Sequence, residues 1–255
     1  MENNFYNIFD SHAHYDDKWF DEDREVLLSS MKENGVCGIV NNSVDLKTAK
    51  VCIDFCEKYD FMYGAVGFHP ENLEDMPNDY LDRVAELLKH KKIVAVGETG
   101  LDYHWDISKD LQNRVFEEQI KLSLDVNMPI IVHDREAHGD TLNYLRKYKP
   151  KALVHCFSGS VEMMREVMRY GSYISLGGVV TFKNARHSVE VAKEVPIDRL
   201  LLETDCPYMS PVPFRGKRCD STMIKYTAEK IAEIRNTDVQ ELLNITAENA
   251  KRFYG

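Results

Sequence analysis

Ile93-Val94-Ala95-Val96-Gly97-Glu98 is a short apolar run, rich in β-branched residues, that stops at a glycine and is followed by a carboxylate. A run this short, with helix-period sequence further on, reads as a strand buried on both faces in a parallel sheet. The same pattern recurs outward in both directions, at Tyr6–Asp10, Val36–Val40, Met62–Gly67, Pro129–His133, Ala152–His155, Tyr173–Leu176 and Leu200–Glu203. With Ile93–Gly97 these make eight candidate strands. Segments of helical period alternate with them, at Glu22–Glu33, Leu46–Lys58, Tyr80–Lys89, Asp110–Val126, Thr141–Arg146, Val161–Arg169, Ala185–Glu194 and Met223–Arg235. Eight strands, each followed by a helix, predict an α/β fold of the (β/α)8 TIM-barrel type, whose usual size of about 250 residues matches this chain. A further C-terminal helix is expected over Asp238–Tyr254, opened by a capping box of Thr237 and Gln240. No linker, low-complexity tract or longer repeat interrupts the pattern, so residues 1–255 are expected to form a single domain. A doubly wound open sheet is the rival, but no GxGxxG follows an early strand to support it.

The chain has 255 residues, 44% hydrophobic and 29% charged, which excludes disorder as the dominant state and leaves enough chain for a large core. Its 32 basic residues against 42 acidic ones give a net charge of −10, so any attraction for phosphate must be local. The N-terminus has no basic and apolar signal pattern, and no segment approaches the length of a membrane span, which predicts a cytoplasmic protein with no membrane partner. Six dispersed cysteines without a CxxC pair are expected to be reduced thiols.

The histidines and carboxylates that matter sit at strand ends. His12 and His14 follow the first strand, His69 the third and Glu98 the fourth; His133 and His155 close the fifth and sixth, and Asp205 follows the eighth. In a βα barrel these ends share one rim, however far apart they lie in sequence. Histidines two apart project from one side of an extended segment and can reach one ion. The mixed imidazole and carboxylate set, with no thiolate, suits Zn²⁺, Mn²⁺ or Mg²⁺. Six ligands exceed what one tetrahedral ion with an open position needs. The economical expectation is two divalent metal ions, with Glu98 bridging, His12, His14 and Asp205 on one side, and His133 and His155 on the other. Such a pair activates a water and stabilises the oxygens of an ester under hydrolysis, with Asp205 placed to take the water's proton.

Six blocks in this order resemble the TatD family of metal-dependent hydrolases: Phe9-Asp10-Ser11-His12-Ala13-His14, Gly67-Phe68-His69-Pro70, Val96 to Tyr103, Val132-His133-Asp134-Arg135, His155 to Gly159, and Glu203 to Tyr208. The resemblance implies a TIM barrel with two divalent ions on His12, His14, Glu98, His133, His155 and Asp205. It also implies a nuclease activity, a magnesium-dependent 3′-to-5′ exonuclease. Two positions depart from the family pattern. Phe214 stands where the basic loop commonly has histidine, and Glu71 stands where another histidine often follows His69-Pro70.

For substrate contacts, His69 is expected to hydrogen-bond the reacting group or to support a metal ligand from behind, and Arg135 to orient a phosphate through its planar fork. Arg215, Lys217 and Arg218 form a basic cluster beside the loop that carries Asp205, and are expected to clamp phosphate. Tyr103, His104 and Trp105 either offer a stacking surface or pack the loop. Together these predict a metal-dependent phosphodiesterase that trims DNA from an end, 3′ to 5′, with RNA ends as a second nucleic acid substrate and no obligatory protein partner. The rival is a metal-dependent hydrolase of a carbonyl ester or amide, including an aminoacyl-tRNA ester, since one rim serves several chemistries.

Overall fold

The computed structural model describes residues 5–255. Among the described residues the strands are β1 (Ile8–Ala13), β2 (Val36–Asn42), β3 (Met62–Val66), β4 (Ile93–Asp102), β5 (Ile130–Arg135), β6 (Ala152–Val154), β7 (Tyr173–Leu176) and β8 (Leu200–Leu202). The helices are α1 (Arg24–Ser30), α2 (Leu46–Lys58), α3 (Tyr80–Leu87), α4 (Lys109–Asp125), α5 (His138–Tyr148), α6 (Val161–Arg169), α7 (Arg186–Glu194), α8 (Ile224–Arg235) and α9 (Val239–Tyr254). The strands pair in sequence order in one sheet, and Ala13 at the end of β1 bridges in parallel to Cys206 just past β8. This is the (β/α)8 barrel expected from the alternation, with α9 as the added C-terminal helix. No helix among the described residues is long and apolar enough to cross a membrane.

The chain divides into two compact units. One comprises residues 5–40, 156–164 and 174–252; the other comprises residues 41–155, 165–173 and 253–255. In the first, β1 is buried along its whole length, and Ile8, Leu28, Met31, Leu200, Leu201, Ile224 and Ile231 are core residues. Burying each such side chain contributes about 1.5–3 kcal/mol. Asp10 and Ser11, also in β1, are buried but bonded: Ser11 Oγ donates to the Leu202 carbonyl at 2.9 Å. The polar line of β1 therefore runs along β8, and it positions the residues that follow both strands.

In the second unit β4 runs parallel to β3 and β5, and β5 to β6. Asp45 and Thr48 form a capping box that starts α2, which buries Ala49, Cys52 and Cys56. The Cys52 thiol lies 3.2 Å from the Asn41 carbonyl, so these helix cysteines serve packing. Two buried glutamines of α4 fasten the sheet. Gln112 bonds the amide and carbonyl of Asp102, each at 2.8 Å, and Gln119 bonds both backbone groups of Phe68 and the Thr99 hydroxyl. Without those partners, side-chain amides at such depth would cost stability.

Several boundaries differ from the sequence expectation. β4 does not stop at Gly97: its register shifts between Val96 and Thr99 and pairing resumes, with Gly100 opposite His133 and Asp102 opposite Arg135. Gly97 and Gly100 have φ of 148° and 151°, and a Cβ on Gly100 would lie 2.0 Å from the His133 carbonyl oxygen. The glycines thus mark an irregularity within the strand. β1 and β5 likewise continue, to Ala13 and Arg135, because polar residues there find partners in the sheet. The C-terminal helix is capped by Asp238, whose carboxylate accepts the Glu241 amide at 2.9 Å, and Thr237 does not serve. Gln240, expected in the capping box, instead bonds Tyr6 and Asn244.

Candidate metal centre

In the unit built on β3 to β6, four side chains converge. Glu98 comes from the irregular stretch of β4, His133 from β5, His155 from just past β6, and His69 from just past β3. Glu98 Oε1 lies 2.9 Å from His133 Nδ1, 2.8 Å from His155 Nε2 and 3.5 Å from His69 Nε2. The two imidazole nitrogens nearest it are 3.2 Å apart. His133 Nε2 in turn meets Asp102 Oδ2 at 2.9 Å. When that nitrogen donates its proton to Asp102, His133 Nδ1 is left to present a lone pair toward Glu98, which is how a carboxylate orients a ligating histidine.

The electrostatics favour a cation here. Burial opposes charge on His133, yet the Asp102 and Glu98 carboxylates overcome it and push the imidazole up to about 10. Against the same cost of burial, His133 holds the Asp102 carboxyl below its usual range. Nitrogen lone pairs and a nearly buried carboxylate oxygen within about 3 Å of one another are reconciled only by a proton or a metal ion. His69 Nδ1 accepts the Glu71 amide at 3.2 Å and caps the 3-10 turn Pro70–Asn72, which leaves its other nitrogen toward Glu98.

The unit built on β1 and β8 has its own cluster. His12 Nε2 and His14 Nε2 are 3.0 Å apart, and Asp205 Oδ1 lies 3.7 Å from the first and 3.5 Å from the second. His12 is fully buried, while His14 and Asp205 are half-buried. Asp205 has a φ of 58°, a left-handed conformation that aspartate tolerates better than most residues, and its amide donates to the His12 carbonyl at 3.0 Å. Behind the cluster, the buried Asp10 carboxylate accepts the Thr204 amide (3.0 Å) and hydroxyl (2.6 Å), the Ser221 hydroxyl (2.7 Å) and the His12 amide (3.3 Å). Burial pushes this carboxyl up to about 6, against those hydrogen bonds. One carboxylate therefore fixes the segments that carry His12 and Asp205. Glu203 does similar work nearby, accepting the Cys156 amide at 2.7 Å and the Ser175 hydroxyl at 2.5 Å.

The remaining expected residues fall as follows. Arg135 is exposed, 4.0 Å from Asp102 Oδ2, with its guanidinium 5.9 Å from the Trp105 ring. Arg215 and Lys217 are exposed on the loop after β8, and the Arg215 guanidinium lies 3.9 Å over the Phe182 ring. Arg218 is differently placed. It forms a two-pronged pair with Asp23 at 2.7 and 2.6 Å, donates to the Trp19 carbonyl at 2.7 Å and covers the buried Phe20 ring at 4.7 Å. Phe214 packs on Tyr226. Asp102 and Asp10 were given no role from sequence. The signal for Asp102 is its place two residues past Gly100, legible only once β4 is continued through the glycines.

The donor set is nitrogen and oxygen without thiolate, which fits a borderline or hard divalent cation. Comparison with known proteins agrees. The family described as TatD related DNase matches residues 9–255. A Bacillus subtilis relative, the uncharacterized metal-dependent hydrolase YabD, is 46% identical over 97% of this chain and 98% of its own. The 3'-5' ssDNA/RNA exonuclease TatD of Pectobacterium parmentieri is 29% identical over 97% of this chain and 99% of its own. The crystal structure of YjjV, a TatD homologue from Escherichia coli K12, superposes with a TM-score of 0.90 at 28% identity, covering 97% of this chain and 98% of that one. With its barrel, its converging imidazoles and carboxylates and a family match over nearly its whole length, the chain belongs to the TatD family of metal-dependent hydrolases.

Proposed function

We propose that the protein is a phosphodiesterase that removes nucleotides from the 3′ end of DNA, with RNA ends as a second substrate class. The observation that carries this is the pair of thiolate-free donor clusters, each placed at the C-terminal ends of strands, where a barrel collects its functional groups. In this reading divalent cations would be held by His12, His14 and Asp205 in one cluster and by Glu98, His133 and His155 in the other. Bound there, the cations would supply Lewis acidity toward a phosphoryl oxygen and lower the pKa of water.

The chain's own groups do the rest. Asp205 accepts a proton from the attacking water. Asp102 fixes the tautomer of His133. His69, with Nε2 turned toward Glu98, hydrogen-bonds the reacting group. Arg135, Arg215 and Lys217 offer positive charge to the scissile phosphate and its neighbour in a chain whose net charge is −10. Arg218, held by Asp23, orders the loop that presents Arg215 and Lys217. The family description and the exonuclease name of the Pectobacterium relative support nucleic acid as the polymer.

The test is cleavage of 3′-labelled and 5′-labelled oligonucleotides by wild type and Asp205→Asn, with Mg²⁺, Mn²⁺ or Zn²⁺ and with chelator. The expected outcome is metal-dependent release of mononucleotides from the 3′ end, abolished in the variant. Failure of the folded, metal-loaded wild type to cleave any single- or double-stranded substrate would overturn the reading in favour of a carbonyl ester or amide.

A further inference from the structure

Large apolar side chains are concentrated on the surface beside Asp205. Trp19 is 50% exposed and Tyr208 is 47% exposed, and Met209 and Val212 on the same loop are exposed as well. Isolated exposed hydrophobes need no explanation, but a cluster of them on a functional rim does. The two aromatic rings lie 6.0 Å apart between centroids at 45°, so their faces adjoin as a tilted shelf.

The shelf is built into the structure. Trp19 belongs to the 3-10 turn Lys18–Phe20, started by the Asp17 carboxylate, which accepts the Trp19 amide at 2.8 Å. The other Asp17 oxygen accepts the Tyr208 hydroxyl at 2.8 Å, so one aspartate ties the Tyr208 ring to the turn that carries Trp19. Arg218 donates to the Trp19 carbonyl at 2.7 Å. Both rings are also tied to the donor cluster through backbone. The Tyr208 amide donates to the Asp205 carbonyl at 3.0 Å, the His14 amide to the Cys206 carbonyl at 2.9 Å, and the Asp17 amide to the His14 carbonyl at 3.1 Å. An aromatic surface thus begins three residues after one proposed ligand and five after another. The exposed cations Arg215 and Lys217 stand on the same loop as Tyr208.

We infer that Trp19 and Tyr208 form a stacking subsite for an unpaired nucleobase next to the scissile phosphate. This rests on the nuclease reading and names its base subsite. Exposed aromatic faces with cations on the same loop complement a nucleotide, whose base has a π face and whose backbone is anionic; stacking of this kind accepts any base. It requires that base to be unpaired. A duplex end would have to fray first to place its last base there.

The experiment uses two oligonucleotides that differ only in whether the terminal nucleotide carries a base. Trp19→Ala and Tyr208→Ala are each expected to raise KM about tenfold on the base-bearing strand, with kcat within about twofold. That corresponds to about 1.4 kcal/mol and lies within the range for one stacked base. On the abasic strand both variants should match wild type. Tyr208→Phe, which keeps the ring, should retain most of the affinity. Equal losses on both strands, or no loss on either, would overturn the inference.

A readout independent of turnover comes from fluorescence. The chain has two tryptophans, so Trp105→Phe leaves Trp19 as the sole emitter. Titration with a phosphorothioate-linked single strand in Mg²⁺ should quench it saturably, and an unchanged spectrum would overturn the platform. Saturable quenching in a protein that cleaves no strand would uphold the platform while the exonuclease reading fell.

Discussion

Replacing Arg218 with alanine removes a fastening, and its cost follows from the contacts. The guanidinium makes a two-pronged pair with Asp23, donates to the Trp19 carbonyl and covers the Phe20 ring. Arg218 and Asp23 are both partly exposed, so the ion pair itself is discounted to about 0.5–1 kcal/mol. The carbonyl bond and the contact over Phe20 add about 1–1.5 kcal/mol together. A loss of about 2 kcal/mol lowers Tm by roughly 4–8 °C in a chain this long. Arg218→Lys should recover less than half, because one ammonium cannot meet two carboxylate oxygens and a carbonyl in a fixed plane.

Asp23 gives the pH signature. Its hydrogen bonds from Arg218 hold the folded carboxyl below the ordinary value of 3.8. The pair's contribution is therefore present above pH 3.8 and is lost as pH falls from there through the folded value. Thermal melts of wild type, Arg218→Ala, Asp23→Ala and the double variant, from pH 7 to pH 3, measure both the coupling and its loss. Kinetics on an oligonucleotide complete the assay. An Arg218→Ala protein that melts within about 1 °C of wild type, yet needs tenfold more substrate, would refute the argument and make Arg218 a direct phosphate contact.

Asp102→Asn should weaken divalent metal binding about 10- to 100-fold by freeing the His133 tautomer, measurable by competition with a chromophoric chelator; unchanged affinity would refute the assignment. Gly100→Ala should destabilise by about 2–4 kcal/mol, since both its φ and the His133 carbonyl exclude a Cβ, and chemical denaturation would register it. Tyr148, Lys147 and Lys121 hold the Glu117 carboxyl down to about 2, from an ordinary 4.5. The depressed value means that Glu117 stabilises the fold above pH 4.5 and loses that effect between pH 4.5 and about 2, so the Tm gap between wild type and Glu117→Gln should close across that window.

Much of the architecture was legible because burial writes itself into composition. Strands covered on both faces must be apolar throughout, so Ile93–Val96, Ile130–Val132 and Leu200–Leu202 stand out from amphipathic helices. The clustering of the candidate histidines was legible for a related reason: a parallel barrel brings together the residues just past each apolar run. What escaped were polar residues that remain within strands. Ser11 and His12 break the apolar signal of β1 and Glu98 to Asp102 that of β4, yet they stay within strands, where Ser11 bonds the Leu202 carbonyl and the Asp102 backbone bonds Gln112. Arg218 escaped for the same reason: a run of basic residues does not reveal that one of them faces an aspartate 195 positions away. At the start of α9 the cap is Asp238 and not the expected Thr237, a difference of one residue of register.

The Asp10 carboxylate bonds groups 194 and 211 positions further on. Apart from the His12 amide, its partners are synthesised about two hundred residues later. At roughly 5–20 residues per second, the ribosome exposes His12 and His14 for many seconds before Asp205 and Ser221 emerge. The early histidines therefore wait without the carboxylate beside them or the anchor behind them. Contacts of such long range also slow folding. A chain cut short before Thr204 would keep most of its strands and lack both Thr204 and Ser221, the distant donors that anchor its first cluster.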